Sequence, residues 1–214
     1  MKTLLRFLFF LLLVRPITLV ILGLNIRHRE RLPSQGPAIL AANHNSHLDT
    51  LVLFSILPLR LLPKIRPVAA MDYFFRNRFL AWFALHIIGI IPMRRKKTGA
   101  EGEDDPLKPC HEALERGEIL LYFPEGTRGE PEQMNRIRSG IARLCESRPE
   151  LPVYPIFLRG LGKALPKGEI LLVPFFCDVF VGEPVRWNGE VESFRALVED
   201  ELIALSKEET VHGS

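Results

Sequence analysis

Pro37-Ala38-Ile39-Leu40-Ala41-Ala42-Asn43-His44-Asn45-Ser46-His47-Leu48-Asp49 contains the change of pattern that decides the fold. The first six residues are small and apolar, bounded by Gly36-Pro37, and short enough for a buried strand. After Asp49, the residues Leu51, Val52, Phe54, Ser55 and Ile56 read as a helix of about three turns that stops before Pro58. Ser46 suits the N-cap, and Asp49 then falls in the first turn, where a carboxylate answers free backbone N–H groups. Along one continuous helix, His44 and Asp49 would point about 140° apart and could not pair. With His44 in the loop before the cap, the ring can fold back onto Asp49, leaving its other nitrogen free to accept a proton. Taken alone, this spacing fits a capping acid and a backbone-bonded loop histidine equally well. A metal site is disfavoured because His86 and His111 follow without ligand spacing. Ser46 as a nucleophile is disfavoured because the chain contains no G-x-S-x-G elbow.

The 214-residue chain fits one domain with a full core, or one domain plus a small appendage. Apolar residues make up 47%, high for a soluble enzyme and pointing to membrane contact. The net charge of +3 is gathered into patches at Arg27, Arg29 and Arg31, at Arg94-Arg95-Lys96-Lys97, and at Arg136 and Arg138. Such patches suit anionic lipid or phosphorylated substrates. Nucleic acid is not expected as a partner, because no aromatic residues interleave with the basic runs. Cys110, Cys145 and Cys177 are odd in number and far apart, which indicates reduced thiols.

Residues 4–24 form the most apolar segment, interrupted by Arg15-Pro16. A single spanning helix would place Arg15 near the bilayer centre, at a cost of about 2.5–3.5 kcal/mol. Two short helices lying in the interface, or a shallow hairpin, satisfy the same residues better. Arg6 and Arg15 also interrupt any cleavable signal sequence. The expected organisation is therefore a membrane-associated, two-helix element with a basic flank over residues 1–31 and a catalytic domain over 32–214. The flanking arginines favour a body on the cytoplasmic face of the cytoplasmic membrane.

Further along, strands are expected at residues 66–71, 87–93, 119–123, 152–157 and 169–181, the last as one strand or as a hairpin across Pro174. Helices are expected at 72–86, mostly as core, and at 106–118, 134–145 and 191–206. Thr98 to Asp105 reads as a mobile loop, Pro152 and Pro155 suggest an edge strand or one with an irregular start, and 207–214 a frayed tail. The strand at 119–123 runs into Pro124-Glu125-Gly126-Thr127-Arg128-Gly129, at the end of a strand where open α/β sheets bind ligands. There the glycines permit close backbone approach, Thr127 can donate a hydroxyl, and Arg128 can fork onto a phosphate. This alternation predicts an α/β fold with a mostly parallel, partly mixed sheet flanked by helices.

Four stretches together resemble the glycerophospholipid acyltransferases, the 1-acyl-glycerol-3-phosphate acyltransferase family. His44-Asn45-Ser46-His47-Leu48-Asp49 resembles the family's H-x-x-x-x-D block, and Gly89-Ile90-Ile91-Pro92-Met93-Arg94-Arg95 is similar to its second block. Phe123-Pro124-Glu125-Gly126-Thr127-Arg128 matches the third block outright, and Leu151-Pro152-Val153-Tyr154-Pro155-Ile156 resembles the fourth. The likeness extends from about residue 36 to 186 and includes Ile137-Arg138-Ser139-Gly140. In the second block, Pro92 stands for the family aromatic residue and Arg94 for its acid, leaving Arg95 as the matching arginine.

The resemblance implies transfer of an acyl group from a thioester to the glycerol hydroxyl of lysophosphatidic acid, giving phosphatidic acid. It implies that His44 is the general base, that Asp49 orients it, and that Arg95, Glu125, Gly126, Thr127 and Arg128 bind the acceptor. Glu125, an anion, is expected to hold an arginine or a hydroxyl rather than the phosphate. The donor would be acyl-CoA or an acyl carrier protein, serving as co-substrate, with no metal and no cofactor. An acyl tunnel lined by Phe54, Phe74, Phe75 or Phe83 is expected, although each also suits the core. Other readings of the same residues are a different lysophospholipid or lyso-aminolipid acceptor, a thioesterase acting on water, and a non-catalytic lipid-binding protein.

Overall fold

A computed structural model describes residues 2–46, 48–71, 77–93, 105–127, 129, 134–164 and 176–209. Its strands are β1 (Leu24–Arg27), β2 (Ala38–Ala42), β3 (Ile65–Ala70), β4 (Ile91–Met93), β5 (Ile119–Tyr122), β6 (Val153–Arg159) and β7 (Cys177–Val181). They form a seven-stranded sheet in the order β1-β7-β6-β2-β5-β3-β4. Every adjacent pair is parallel except β6–β7. The mostly parallel, partly mixed sheet is the expected one. β2 lies at its centre and is buried on both faces, which explains why its sequence is an unbroken apolar run rather than an alternation.

The helices are α1 (Lys2–Phe9), α2 (Leu48–Ile56), α3 (Arg78–Phe83), α4 (Lys108–Glu115), α5 (Gly140–Glu146), α6 (Leu161–Ala164) and α7 (Val191–Ser206). Ala38, Leu40 and Ala42 face a core shared with α2 and with Phe10 and Val14 of the N-terminal helix. Ile39 and Ala41 face the other core, built with α4, α5 and α7. Cys110, Cys145 and Cys177 are buried free thiols, and burial pushes Cys110 and Cys145 up to about 12.

The N-terminal element is one helix over residues 2–21, not the two expected from Pro16. π-type turns at Phe10–Val14 and Ile17–Ile21 widen the helix on either side of Pro16, with Arg15 N–H bonding Phe10 O, so the chain accommodates the proline ring without breaking. Arg15 does not reach outward. Its guanidinium donates to Ser55 O at 3.1 Å and Leu57 O at 2.9 Å, carbonyls left over where α2 ends. Arg6 does the same for Ile65 O and Ile88 O, at 2.9 and 3.1 Å. Leu24–Arg27, leading into the expected basic flank at residues 27–31, is an edge strand of the sheet.

Three other elements differ from the sequence pattern for local reasons. Residues 134–139 are not helical, because Asn135 N–H is taken by Glu125 Oε2 and Arg138 N–H by Pro124 O. β6 is an inner strand rather than an edge, with an irregular start at its proline: Ile156 pairs with Val181, the last residue of β7, so Pro155 sits where that ladder ends. The helix expected as core at 72–86 is described from Arg78, runs on as a π-type turn at Ala84–Ile88, and exposes Phe79, Leu80, Trp82 and Leu85. Phe54 packs on Phe10 in the core, with ring centroids 4.3 Å apart. Residues 72–76, most of the loop at 98–105, the start of the strand expected at 169–181 and the last five residues of the tail lie outside the described residues.

At the opposite end of the sheet from His44, Glu118 accepts from Arg66 at 2.8 Å and from Arg116 at 3.1 Å. Burial acts to raise the Glu118 carboxyl, and the two arginines together outweigh it and hold it below the ordinary range. A lowered carboxyl contributes stability that is present above its unfolded pKa and lost as acid titrates through its native one. Glu118→Gln should therefore lower the melting temperature at pH 7 by roughly 2–4 °C, for about 1 kcal/mol after allowing for solvent screening at Arg116. The difference from the parent should shrink as the pH is lowered toward 4, read by thermal unfolding at both pH values.

Candidate active site

β2 and β5 run side by side, with Ala41 opposite Tyr122, so both strands end together and place Asn43-His44 beside Phe123-Pro124-Glu125. Asn43 extends the sheet with its side chain. Its Nδ2 donates to Leu158 O at 2.9 Å and its Oδ1 accepts from Leu158 N–H at 2.7 Å, a peptide-like pair with β6. Asn45 Nδ2 also donates to Leu158 O, at 3.2 Å. The loop before α2 is thus fixed to the neighbouring strand on both sides of His44.

His44 folds back as its spacing allows: Nδ1 lies 2.8 Å from Asp49 Oδ2. Asp49 is 0% exposed, and the same oxygen accepts the backbone N–H groups of Asn45 at 2.6 Å and Ser46 at 2.8 Å. The aspartate is both the capping acid and the partner of the histidine. A carboxylate so placed can only accept, so Nδ1 carries the proton and Nε2 is left as an acceptor. The ring is held from the side by Phe123, stacked at 4.1 Å between centroids and 20° between planes. Ser46 Oγ caps the helix by accepting from Leu48 N–H at 3.3 Å.

Glu125, expected among the acceptor-binding residues, is buried and has both carboxylate oxygens engaged by backbone. Oε1 accepts from His44 N–H at 2.8 Å and Oε2 from Asn135 N–H at 2.9 Å. Burial pushes its carboxyl up, opposed by these two N–H donors. Gly129 N–H closes the arrangement on His44 O at 3.0 Å. Gly126 adopts a left-handed conformation (φ 73°), and a Cβ there would come 3.0 Å from Arg138 Nε. Glycine is required at this position both for the turn and for the arginine lying across it. Gly126 and Thr127 are exposed at the end of the sheet; Arg94, Arg95, His47 and Arg128 lie outside the described residues.

The structure therefore brings together His44, Asp49, Glu125 and Gly126, and adds Asn43, Phe123 and Arg138, which sequence reasoning did not place in the site. Asn43 carried a signal in standing between a strand and the histidine, where an amide can imitate a peptide group. Arg138 belongs to a different loop, and nothing in the local pattern ties it to Gly126.

This fold and this pair define an α/β protein with a hydrogen-bonded histidine–carboxylate pair at the carboxyl ends of parallel strands. A family model described as Acyltransferase matches residues 23–159, more than half of the chain. The chain belongs to the acyltransferase family. It is 32% identical, over 68% of its length, to a chloroplastic 1-acyl-sn-glycerol-3-phosphate acyltransferase of Arabidopsis thaliana, of which it covers 38%. It is 28% identical, over 77% of its length, to a 1-acyl-sn-glycerol-3-phosphate acyltransferase of Bacillus subtilis, of which it covers 74%. The chain thus spans about two-fifths of the length of its chloroplast relatives. Its fold is similar to that of the 1-acyl-sn-glycerophosphate (LPA) acyltransferase PlsC from Thermotoga maritima, with a TM-score of 0.68 and 20% identity over 86% of this chain and 71% of that one.

Asn43→Ala should leave Leu158 N–H buried and unpaired and loosen the loop that carries His44. Acyl-transfer turnover should fall roughly tenfold to a hundredfold while KM stays near the parent value. Stability should fall by about 1–3 kcal/mol, measured by denaturant unfolding.

Proposed function

We propose that this protein transfers a fatty acyl group from an acyl thioester to the free glycerol hydroxyl of lysophosphatidic acid, forming phosphatidic acid. The observation that carries the reading is the His44–Asp49 pair, whose geometry leaves Nε2 as the proton acceptor. Nε2 takes the hydroxyl proton as the glycerol oxygen attacks the thioester carbonyl carbon. Asp49 stabilises the imidazolium that forms. Collapse of the tetrahedral intermediate breaks the C–S bond, and the departing thiolate takes the proton back from Nε2. No acyl-enzyme is needed. The donor is acyl-CoA or an acyl carrier protein.

The acceptor's phosphate is assigned to Arg95 and Arg128, with Gly126 and Thr127 beside it. Arg138 is added to them because its guanidinium lies over Gly126 and makes no ion pair among the described residues. Glu125 acts by fixing His44 and the loop at 134–139 rather than by touching the acceptor. The apolar N-terminal helix supports association with a membrane, and the arginines at 27, 29 and 31 favour its cytoplasmic face. Arg94, standing where the resemblance has an acid, favours a second reading in which the acceptor is another lysophospholipid.

The test is transfer by the full-length chain in detergent, with a long-chain acyl thioester on either carrier, a panel of lysophospholipids and a control without acceptor. Phosphatidic acid as the product, lost by at least about a thousandfold in His44→Ala, is the expected result. Retained turnover in that variant overturns the mechanism, and free fatty acid without acceptor indicates a thioesterase. Arg138→Ala should raise KM for the lysolipid with kcat little changed, since it removes binding made equally in the ground and transition states.

A further inference from the structure

Among the described residues, most of the large apolar side chains that reach solvent lie on two adjacent helices. Nine belong to the N-terminal helix, from Leu4 to Val20, and four to the helix over residues 78–88. In the latter, Phe79 is 72% exposed and Trp82 41%, with Leu80 and Leu85 beside them. Scattered apolar residues are ordinary on a protein surface; a concentration of this kind on two packed helices is not.

The two helices are also fastened to each other. Phe9 and Phe83 meet edge to face with centroids 5.3 Å apart. Arg6, buried between them, donates to Ile88 O, the carbonyl at the carboxyl end of the second helix. Arg15 fixes the other half of the N-terminal helix to the end of α2, and Thr18 Oγ1 donates to Ser55 Oγ at 2.7 Å. The N-terminal helix has an 18-residue window long and apolar enough to cross a membrane. Leaving the body to do so would strip two arginines of four backbone acceptors and uncover Phe10 and Val14, both in the core.

We propose that the helix over residues 78–88 is a second membrane-seated element, forming with the N-terminal helix one rigid apolar face that rests in a single leaflet. The occupant of that face is lipid, because it is packed directly against the helix whose composition already suits a bilayer, and because Trp82 provides an amphipathic ring suited to the interfacial zone. The proposal rests on the membrane reading of the N-terminal helix but adds a separate contact to it. It assigns Phe79, Trp82 and Leu85 to binding, outside the catalytic machinery.

Trp82 and Trp187 are the two tryptophans of the chain, so Trp187→Phe leaves one reporter inside the proposed contact. That variant, full length, is mixed with vesicles of phosphatidylcholine and phosphatidylglycerol, with and without bromine on the upper acyl chain. Trp82 emission should shift to the blue and be quenched by the brominated lipid. Phe79→Ser with Leu85→Ser should weaken partitioning by about tenfold or more, with turnover in detergent unchanged. Binding to the vesicles with Trp82 neither shifted nor quenched overturns the proposal, including the case in which another part of the chain or a second copy covers this face. Failure of the parent chain to bind vesicles overturns both this proposal and the membrane reading on which it rests, while leaving the acyl-transfer chemistry to its own assay.

Discussion

One oxygen atom organises the active end of the molecule. Asp49 Oδ2 accepts from the His44 ring and from the N–H groups of Asn45 and Ser46, three donors on a group with no access to water. Two of these bonds start the helix that follows; the third orients the histidine that precedes it. A buried carboxylate is tolerable only when its desolvation is answered by such donors. The requirement that makes α2 begin where it does is therefore also the one that selects the tautomer of His44.

A second buried carboxylate repeats the device between loops. Glu125 binds the N–H of His44 with one oxygen and that of Asn135 with the other. The loop after β2 and the segment after β5 are thereby held to each other, and Phe123 is kept against the imidazole face. An anion placed beside a phosphate would repel it. Spent on backbone donors, the same side chain fixes the floor of the site, while Gly126 next to it lets a cation lie across the surface.

The sheet and the His–Asp pair were legible because their signals are local. The apolar run at 38–42, the cap at Ser46 and the five-residue offset to Asp49 each lie within a few residues of what they determine. The α7 helix follows its sequence pattern to both ends for the same reason, having a clear boundary and an amphipathic pattern. The elements that depart from the sequence pattern depend on distant partners. Residues 134–139 have a helical composition, yet Pro124 and Glu125 take the N–H groups that a helix would need. Pro155 sits inside the sheet because β7 runs out opposite it, a matter of register that no proline announces. The helix at 78–88 has the composition of a core helix and lies on the surface, since composition fixes what a face avoids and not what covers it.

The N-terminal helix shows the same limit from the side of charge. Arg15 beside Pro16 looked like a break, because an arginine in an apolar helix must find either water or headgroups, and a proline supplies a bend. A third outlet was available: the carbonyls that every helix leaves unpaired at its carboxyl end. Arg15 takes two at the end of α2, and Arg6 takes one at the end of the helix over 78–88 and one at the start of β3. Each arginine meets its own need for acceptors with groups that needed donors. The apolar segment is thereby bound into the same core that backs the loop carrying His44, through Phe10 against Phe54 of α2. A helix joined to the body in this way lies along it, so the orientation of the site relative to any surface the helix rests on is set by the fold itself rather than by a flexible tether.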